Sequence, residues 1–256
     1  MDVAAQGRGA IAVVSYWEQL DRRERADLAE QAAWPRAVVL DESAAVCGLL
    51  MPLLPDDFFC GQPDPKTGAP TKLSRTMKWL ASTAAQRRAA GVDIPDVHLT
   101  DRYALLAKLA YVLARLHQRG WVYGDLSFNS VAFALDPPRI QLLDCDSAAR
   151  LDDLSRTQAH TPFWVPPECR SDAQRVQDER TDVYKLGLMI LRCLTPGKGV
   201  ATTEDPERLQ DVDGGSILTL VARALDTDRS LRLTAADLCL ELQWLAARAT
   251  GVGAAA

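Results

Sequence analysis

The chain has 256 residues, with 29 Lys and Arg against 34 Asp and Glu, which gives a formal net charge of -5. An apolar fraction of 48% with 25% charged residues is typical of a folded globular protein and excludes disorder over most of the chain. An acidic chain without a long Lys/Arg run lacks the charge that binds phosphate backbones, so we expect no nucleic-acid partner.

The sequence favours a cytoplasmic location. The N-terminus lacks a basic region followed by an apolar stretch, so no secretory signal is expected. The most apolar segment, residues 46–54, contains Pro52 and is far shorter than the roughly 20 residues of a membrane span, so we expect no such span. The six cysteines are scattered without a CxxC pair, which favours free thiols in a reducing compartment.

The first 50 residues are predicted to contain most of the strands. Residues 11–17 are rich in β-formers and predict a strand. Residues 18–33 are charged and Ala-rich, which predicts a helix that ends before Trp34 and Pro35. Two short strands are predicted at residues 36–40 and 46–51, separated by a turn-like segment.

The next segment is predicted to be mostly irregular. Residues 52–55 read as an extended connector, and the Pro, Gly and charged residues of 56–71 predict a loop. A helix is predicted over residues 72–90.

Helices dominate the rest of the predicted structure. Leucines at positions 106, 109, 113 and 116 form a helical stripe, with Asp101 as a candidate cap at its start and Gly120 where it ends. Two strands follow at residues 131–135 and 140–143. Further helices are predicted at three ranges: 181–195, 215–225 and 234–248.

Residues 116–130 contain the first motif with chemical meaning. A helix ending in Leu-His-x-x-Gly, a short apolar strand and the turn Gly124-Asp125-Leu126-Ser127 together resemble the catalytic loop of protein kinases. The resemblance implies that Asp125 accepts the proton of the substrate hydroxyl. Nineteen residues later, Asp144-Cys145-Asp146 is similar to the kinase metal-binding segment, which implies that Asp144 holds Mg²⁺.

Further blocks continue this resemblance in the expected order. Residues 161–168 are similar to the end of a kinase activation segment, which implies a substrate loop of Thr161, Pro162 and Trp164. Structural roles are implied for Asp182, as a cap on catalytic-loop amides, and for Arg232, as the partner of Glu168. The resemblance also implies that the adenine of ATP is held by four consecutive residues: Met51, Pro52, Leu53 and Leu54.

The resemblance implies an α+β fold, a bilobal protein-kinase-like structure with a reduced β N-lobe and a mainly helical C-lobe. Within it, Gly-Asp-Leu-Ser and Asp-Cys-Asp look like a bacterial branch of Ser/Thr-kinase-like proteins. The expected division is an N-lobe of strand, helix and two strands at 1–51, a hinge at 52–55, an insertion and helix at 56–98, a C-lobe at 99–249 and a flexible tail at 250–256.

The departures from the kinase pattern are concentrated before the hinge. No Lys precedes Lys66, and the first 47 residues contain only Gly7 and Gly9, so the Gly-rich loop and the strand-3 lysine are missing. If residues 11–16 form the strand that normally has the lysine, Ser15 occupies its position. Glu24 is then the candidate for the partner glutamate.

The catalytic loop is altered as well. Ser127 stands where Ser/Thr kinases place a phosphate-neutralising lysine, and Ser130 stands at the position of the second metal-ligand asparagine. Asn129 is adjacent and is a possible replacement. Asp146 follows the metal aspartate where a glycine is usual, which adds a carboxylate for a second Mg²⁺ or simply a solvent-facing turn residue.

Three hypotheses for function remain open at this stage. The first is a Ser/Thr protein kinase that uses ATP and Mg²⁺, with its missing strands supplied from upstream or by a partner chain. The second is a pseudokinase that binds and regulates a partner protein, and the third is a small-molecule kinase. The resemblance makes phosphatase and von Willebrand-type proteins plausible partners.

Overall fold

The computed structural model describes residues 3–64, 66–153, 160–172 and 176–250. The α-helices are α1 Val3–Gln19, α2 Arg22–Gln31, α3 Met77–Leu80, α4 Ala84–Ala89, α5 Leu99–Gln118, α6 Pro167–Ser171, α7 Glu179–Leu194, α8 Ser216–Ala224 and α9 Ala235–Ala249. The strands are β1 Ala37–Leu40, β2 Val46–Leu50, β3 Phe59–Pro63, β4 Pro70–Ser74, β5 Trp121–Val122, β6 Val131–Leu135, β7 Pro138–Leu142 and β8 Ala149–Arg150. The fold is therefore α+β, as expected.

The strands form small antiparallel sheets. Within the described ranges these sheets are two-stranded, and they pair β1 with β2, β3 with β4, β5 with β8 and β6 with β7. The predicted strands at 131–135 and 140–143 are confirmed as the β6–β7 hairpin. The expectation that most strands lie in the first 50 residues is wrong, because only β1 and β2 do.

The predicted strand at residues 11–17 is also wrong, since these residues lie in α1. Tyr16 contacts the rings of Trp34 and Trp121, at centroid distances of 5.3 and 5.1 Å. The indole nitrogen of Trp34 donates to the Val13 carbonyl oxygen at 2.8 Å. Helical spacing brings Val13 and Tyr16 to one face, so tertiary packing outweighs the local β propensity. Ser15 therefore lies in a helix and occupies no position in a strand.

Segment 56–90 is more ordered than the sequence predicts. The predicted loop at 56–71 contains β3 and the start of β4, because Pro63 and Pro70 lie at the turn end of a two-stranded hairpin, where no third strand requires an N–H donor. The single helix predicted over 72–90 is two short helices, α3 and α4. Thr83 and Gln86 form a reciprocal capping box that begins α4 anew.

In the helical part of the molecule, α5 packs against both α7 and α9. The periodic leucines lie in α5, and Gly120 adopts a positive φ of 73° just after this helix ends, as predicted. The N-cap position belongs to His98 rather than Asp101, which lies in the first turn. Helices α7 and α9 confirm the predictions for 181–195 and 234–248, and residues 181–194 of α7 are buried throughout. No helix in the described ranges is long and apolar enough to span a membrane.

We expect Trp34→Ala to lower the free energy of unfolding by about 3–5 kcal/mol, because it removes a fully buried side chain and leaves a cavity. Trp244→Ala is the matched control, since Trp244 is 52% exposed on α9 and its loss is expected to change stability by about 0.5 kcal/mol or less. Urea denaturation measures both variants. Equal effects would contradict the packing of α1 against Trp34.

Candidate functional site

The candidate site is built on the loop between β5 and β6. Asp125 lies in this loop, and its carboxylate accepts a hydrogen bond from the Thr161 hydroxyl at 3.0 Å. The structure thus brings the candidate catalytic aspartate directly against the predicted substrate loop. A carboxylate that already receives a hydroxyl proton in a hydrogen bond has the geometry that a general base needs.

Asp182 fixes the backbone of this loop from beneath. Its fully buried carboxylate accepts from the N–H of Tyr123 at 2.8 Å and from the N–H of Gly124 at 2.9 Å. The His117 ring lies 3.0 Å from the same carboxylate. The amide-capping role that the resemblance implied for Asp182 thus corresponds to two contacts, and His117 is a further partner that sequence reasoning missed.

Tyr123 connects the loop around Asp125 to the segment that precedes Asp144. Its fully buried hydroxyl donates to the carbonyl oxygens of Ser130, at 3.2 Å, and of Leu143, the residue before Asp144. Burial raises the pKa of this phenol well above its usual value of 10.0. Tyr123 therefore remains a neutral donor and fixes the loop relative to the end of β7.

Ser127 and Ser130 are joined by two hydrogen bonds. The Ser130 hydroxyl accepts from the Ser127 N–H at 2.8 Å and donates to the Ser127 carbonyl oxygen at 3.1 Å, and both residues are buried. In this arrangement the Ser130 hydroxyl closes the turn. Asn129, between them, is exposed.

Asp144 and Asp146 are exposed at the end of β7. Partial burial of the Asp144 carboxyl raises its pKa, and the negative charges of Asp146 and then Asp125 raise it further. Both of these carboxylates therefore lie close enough to Asp144 to act on its charge. In the described ranges, no three His, Cys, Asp or Glu side chains form a ready-made metal cluster. Mg²⁺, however, commonly uses one or two carboxylates and keeps several waters, so the donor pair suits this ion.

The predicted adenine segment lies beside the same strand end. Leu54 packs against a small apolar cluster of Phe58, Ala132 and Ala134 that also contacts Leu143. Met51 and Pro52 are half-buried, whereas Leu53 is 94% exposed. The structure thus brings Leu54, but not the Leu53 side chain, to the apolar surface next to Asp144.

Trp164 anchors the predicted substrate loop. It is buried against the Phe128 ring, at a centroid distance of 4.9 Å, and under the guanidinium of Arg192 at 4.5 Å. Arg192 also donates to the Phe163 carbonyl oxygen at 2.9 Å. Pro162 is exposed in the same loop. The loop is consequently fixed by aromatic and cation–π contacts that the sequence motif alone did not reveal.

Glu168 and Arg232 form a buried, bidentate ion pair. The two guanidinium nitrogens donate to the two carboxylate oxygens at 2.7 and 2.8 Å. Burial acts to raise the pKa of Glu168, but the hydrogen bonds and charge of Arg232 outweigh it, so the pKa lies below the usual 4.5. This pair connects the start of α6 to the segment before α9.

Glu24 has a local structural role. Its carboxylate accepts from the Asp21 N–H at 3.0 Å in a capping box and forms an ion pair with Arg119. These contacts place Glu24 at the start of α2, on the side of the molecule facing the end of α5.

Comparison with known proteins relates parts of the chain to protein kinases. No family model matches the chain. Serine/threonine-protein kinase CLA4 of Saccharomyces cerevisiae is 34% identical over 95 residues, which cover 36% of this chain and 11% of CLA4. The Arabidopsis thaliana protein named probable inactive L-type lectin-domain containing receptor kinase III.1 is 26% identical over 125 residues, 47% of this chain and 18% of its own length. The matches thus span less than a fifth of either relative.

Asp182→Asn tests the anchoring of the loop. An amide oxygen cannot replace both carboxylate acceptors, so we expect the free energy of unfolding to fall by about 3–5 kcal/mol. Amide hydrogen exchange at Tyr123 and Gly124 should accelerate in parallel. Asp211→Asn, at an exposed position, is the control and should change neither measurement. Unchanged exchange at Tyr123 and Gly124 would contradict the anchoring role.

Glu168→Gln should give a pH-dependent loss of stability. Because the folded-state pKa of Glu168 is lowered, its ionised form stabilises the protein above the unfolded pKa of about 4.5, and this contribution disappears as the pH falls through the folded value. Above pH 5 we expect a loss of about 3–5 kcal/mol, since the buried Arg232 loses its charged partner. Denaturation at several pH values, with exposed Glu241→Gln as control, measures this. A loss that does not shrink in acid would contradict the assignment.

Proposed function

We propose that this chain is a protein-kinase-like domain, bilobal in the manner of that family, which supports transfer of phosphate from ATP to a Ser or Thr hydroxyl of a protein. The main support is the hydrogen bond from the Thr161 hydroxyl to Asp125, on a loop fixed by Asp182. In this proposal, a substrate hydroxyl would approach Asp125 as the Thr161 hydroxyl does. Catalysis of phosphoryl transfer depends mostly on such positioning and on charge neutralisation.

Mg²⁺ would be held by Asp144 and Asp146, with the exposed Asn129 as a further oxygen donor. Partial burial, and then the charges of Asp146 and Asp125, raise the pKa of Asp144; this supports the proposal, because a divalent cation would stabilise the ionised carboxylate. When bound, Mg²⁺ supplies the positive charge that neutralises nucleotide phosphates. Met51, Pro52 and Leu54 would hold the adenine beside Leu143.

The proposal has to account for a missing positive charge, because the segment before the hinge lacks the lysine that kinases use to bind the nucleotide phosphates. No Lys precedes Lys66, and α1 occupies the residues where the lysine strand was predicted. Removing one preorganised electrostatic group costs about 10²–10³ in rate. Fast transfer therefore requires that another segment or chain contribute this cation.

A second candidate is a pseudokinase, a module that binds and regulates a protein partner. It is favoured by the same lack of a lysine and by the Ser127–Ser130 contacts, which occupy the hydroxyl at the second metal-ligand position. One of the two similar proteins is itself named as probably inactive. Phosphatase and von Willebrand-type proteins are the partners we propose to test by co-purification.

The proposal predicts Mg²⁺-dependent stabilisation by ATP. A saturating ligand at 100 times its Kd should raise the free energy of unfolding by about 2.7 kcal/mol, and Asp144→Ala should abolish this gain. Asp211→Ala is the matched control at an exposed aspartate. Thermal shift assays with Mg²⁺, ATP and both together measure the effect.

Labelled ATP then separates the two candidates. In a kinase, Asp125→Asn should lower transfer to peptide by about 10²–10⁴. Three results together would favour the pseudokinase. Neither Mg²⁺ nor Mg-ATP would stabilise the chain, the unaltered chain would transfer no phosphate, and a partner protein would form a stable complex with it. Transfer that is the same with Asn at position 125 would refute the role of Asp125.

A further inference from the structure

Lys185 is a fully buried lysine that the proposed mechanism does not yet use. It lies in α7 three residues after Asp182, and side chains at this spacing share one face of a helix. Its ammonium nitrogen donates to the Gly124 carbonyl oxygen and to the Gln177 side-chain oxygen, the latter at 2.7 Å.

The Gly124 peptide unit and its neighbour are therefore held by opposite charges from one helix. Asp182 accepts the Gly124 N–H, and Lys185 donates to the Gly124 carbonyl, immediately before Asp125. Gly124 has a positive φ of 82°, which an L side chain adopts only with strain. Two helix side chains thus fix the backbone conformation from which the Asp125 side chain projects.

Four titratable groups face Lys185. Asp182, Asp125 and Cys169 act to raise its pKa, whereas burial, the largest influence, lowers it below the usual 10.5. The fourth group is His160, whose Nδ1 is buried and has no hydrogen-bond partner within the described residues. Burial and then the charge of Lys185 lower the pKa of His160, and Asp125 opposes them.

Burying a lysine is costly, and a methionine at this position would fill similar volume without the desolvation penalty. The loop itself supplies no cation in return, because neutral Ser127 occupies the position that the resemblance gives to a lysine. Asp125 meanwhile lies within the repulsive field of the Asp144 carboxylate. A positive charge behind Asp125 would offset this repulsion.

We propose that Lys185 is a positioning residue that supplies, from beneath the catalytic loop, the positive charge that keeps Asp125 oriented as a carboxylate. This inference rests on the proposed phosphoryl transfer, but it concerns a residue that does not touch the substrate. Lys185 acts through the Gly124 carbonyl and through its electrostatic field.

Two substitutions separate charge from packing. Lys185→Met removes the charge and the hydrogen-bond donors, while Lys185→Gln keeps an N–H donor but no charge. Lys108→Gln is the control, because Lys108 is an exposed lysine on α5. In a competent kinase assay, we expect both Lys185 variants to lower kcat by about 10²-fold with little change in the KM for ATP. Full kcat in Lys185→Gln would overturn the inference and leave only a packing role.

A second readout does not depend on activity. NMR titration of the His160 ring, assigned with a His160→Gln variant, should show its pKa rising in both Lys185 variants, and amide exchange at Gly124 and Asp125 should accelerate in both. An unchanged His160 titration, or exchange that is normal in Lys185→Gln, would overturn the inference. If the unaltered chain transfers no phosphate and binds no Mg-ATP, the proposed function fails, and these two measurements still decide the role of Lys185.

Discussion

The buried carboxylate of Asp182 determines the geometry of the whole candidate site. It accepts two backbone N–H groups, from Tyr123 and Gly124, and contacts the ring of His117. A carboxylate without these partners would cost several kcal/mol in the interior of α7, so the helix and the loop are stable only together. The position of Asp125, which follows Gly124 directly, depends on this coupling.

Opposite charges lie on the two sides of the loop around Asp125. On the exposed side, the negative charges of Asp146 and Asp125 act on Asp144, so a cation there would be stabilising. On the buried side, Lys185 places a positive charge against the Gly124 carbonyl. An arrangement with negative charge towards solvent and positive charge behind suits a site that binds a metal ion and a phosphate group.

Two sequence interpretations, one before the hinge and one after it, were wrong because packing or strand pairing outweighed local propensity. Residues 11–17 have β propensity, yet they form α1, because Tyr16 packs against Trp34 and Trp121. The Pro and Gly residues of segment 56–71 suggested a loop, but several lie at the turn end of the β3–β4 hairpin. Propensity summed over a short window is weak compared with tertiary contacts, and it is weakest where aromatic residues or turn residues dominate.

The sequence by itself determined the long helices α5, α7 and α9 and the β6–β7 hairpin, because helical and strand periodicity are local properties. It also determined which residue types follow one another in the loop around Asp125. Only the tertiary structure decided the partners of these residues: Lys185 reaches Gly124 across 61 positions, and the Tyr123 hydroxyl reaches Leu143 across 20. Such contacts depend on how separate elements pack, and no local pattern specifies them.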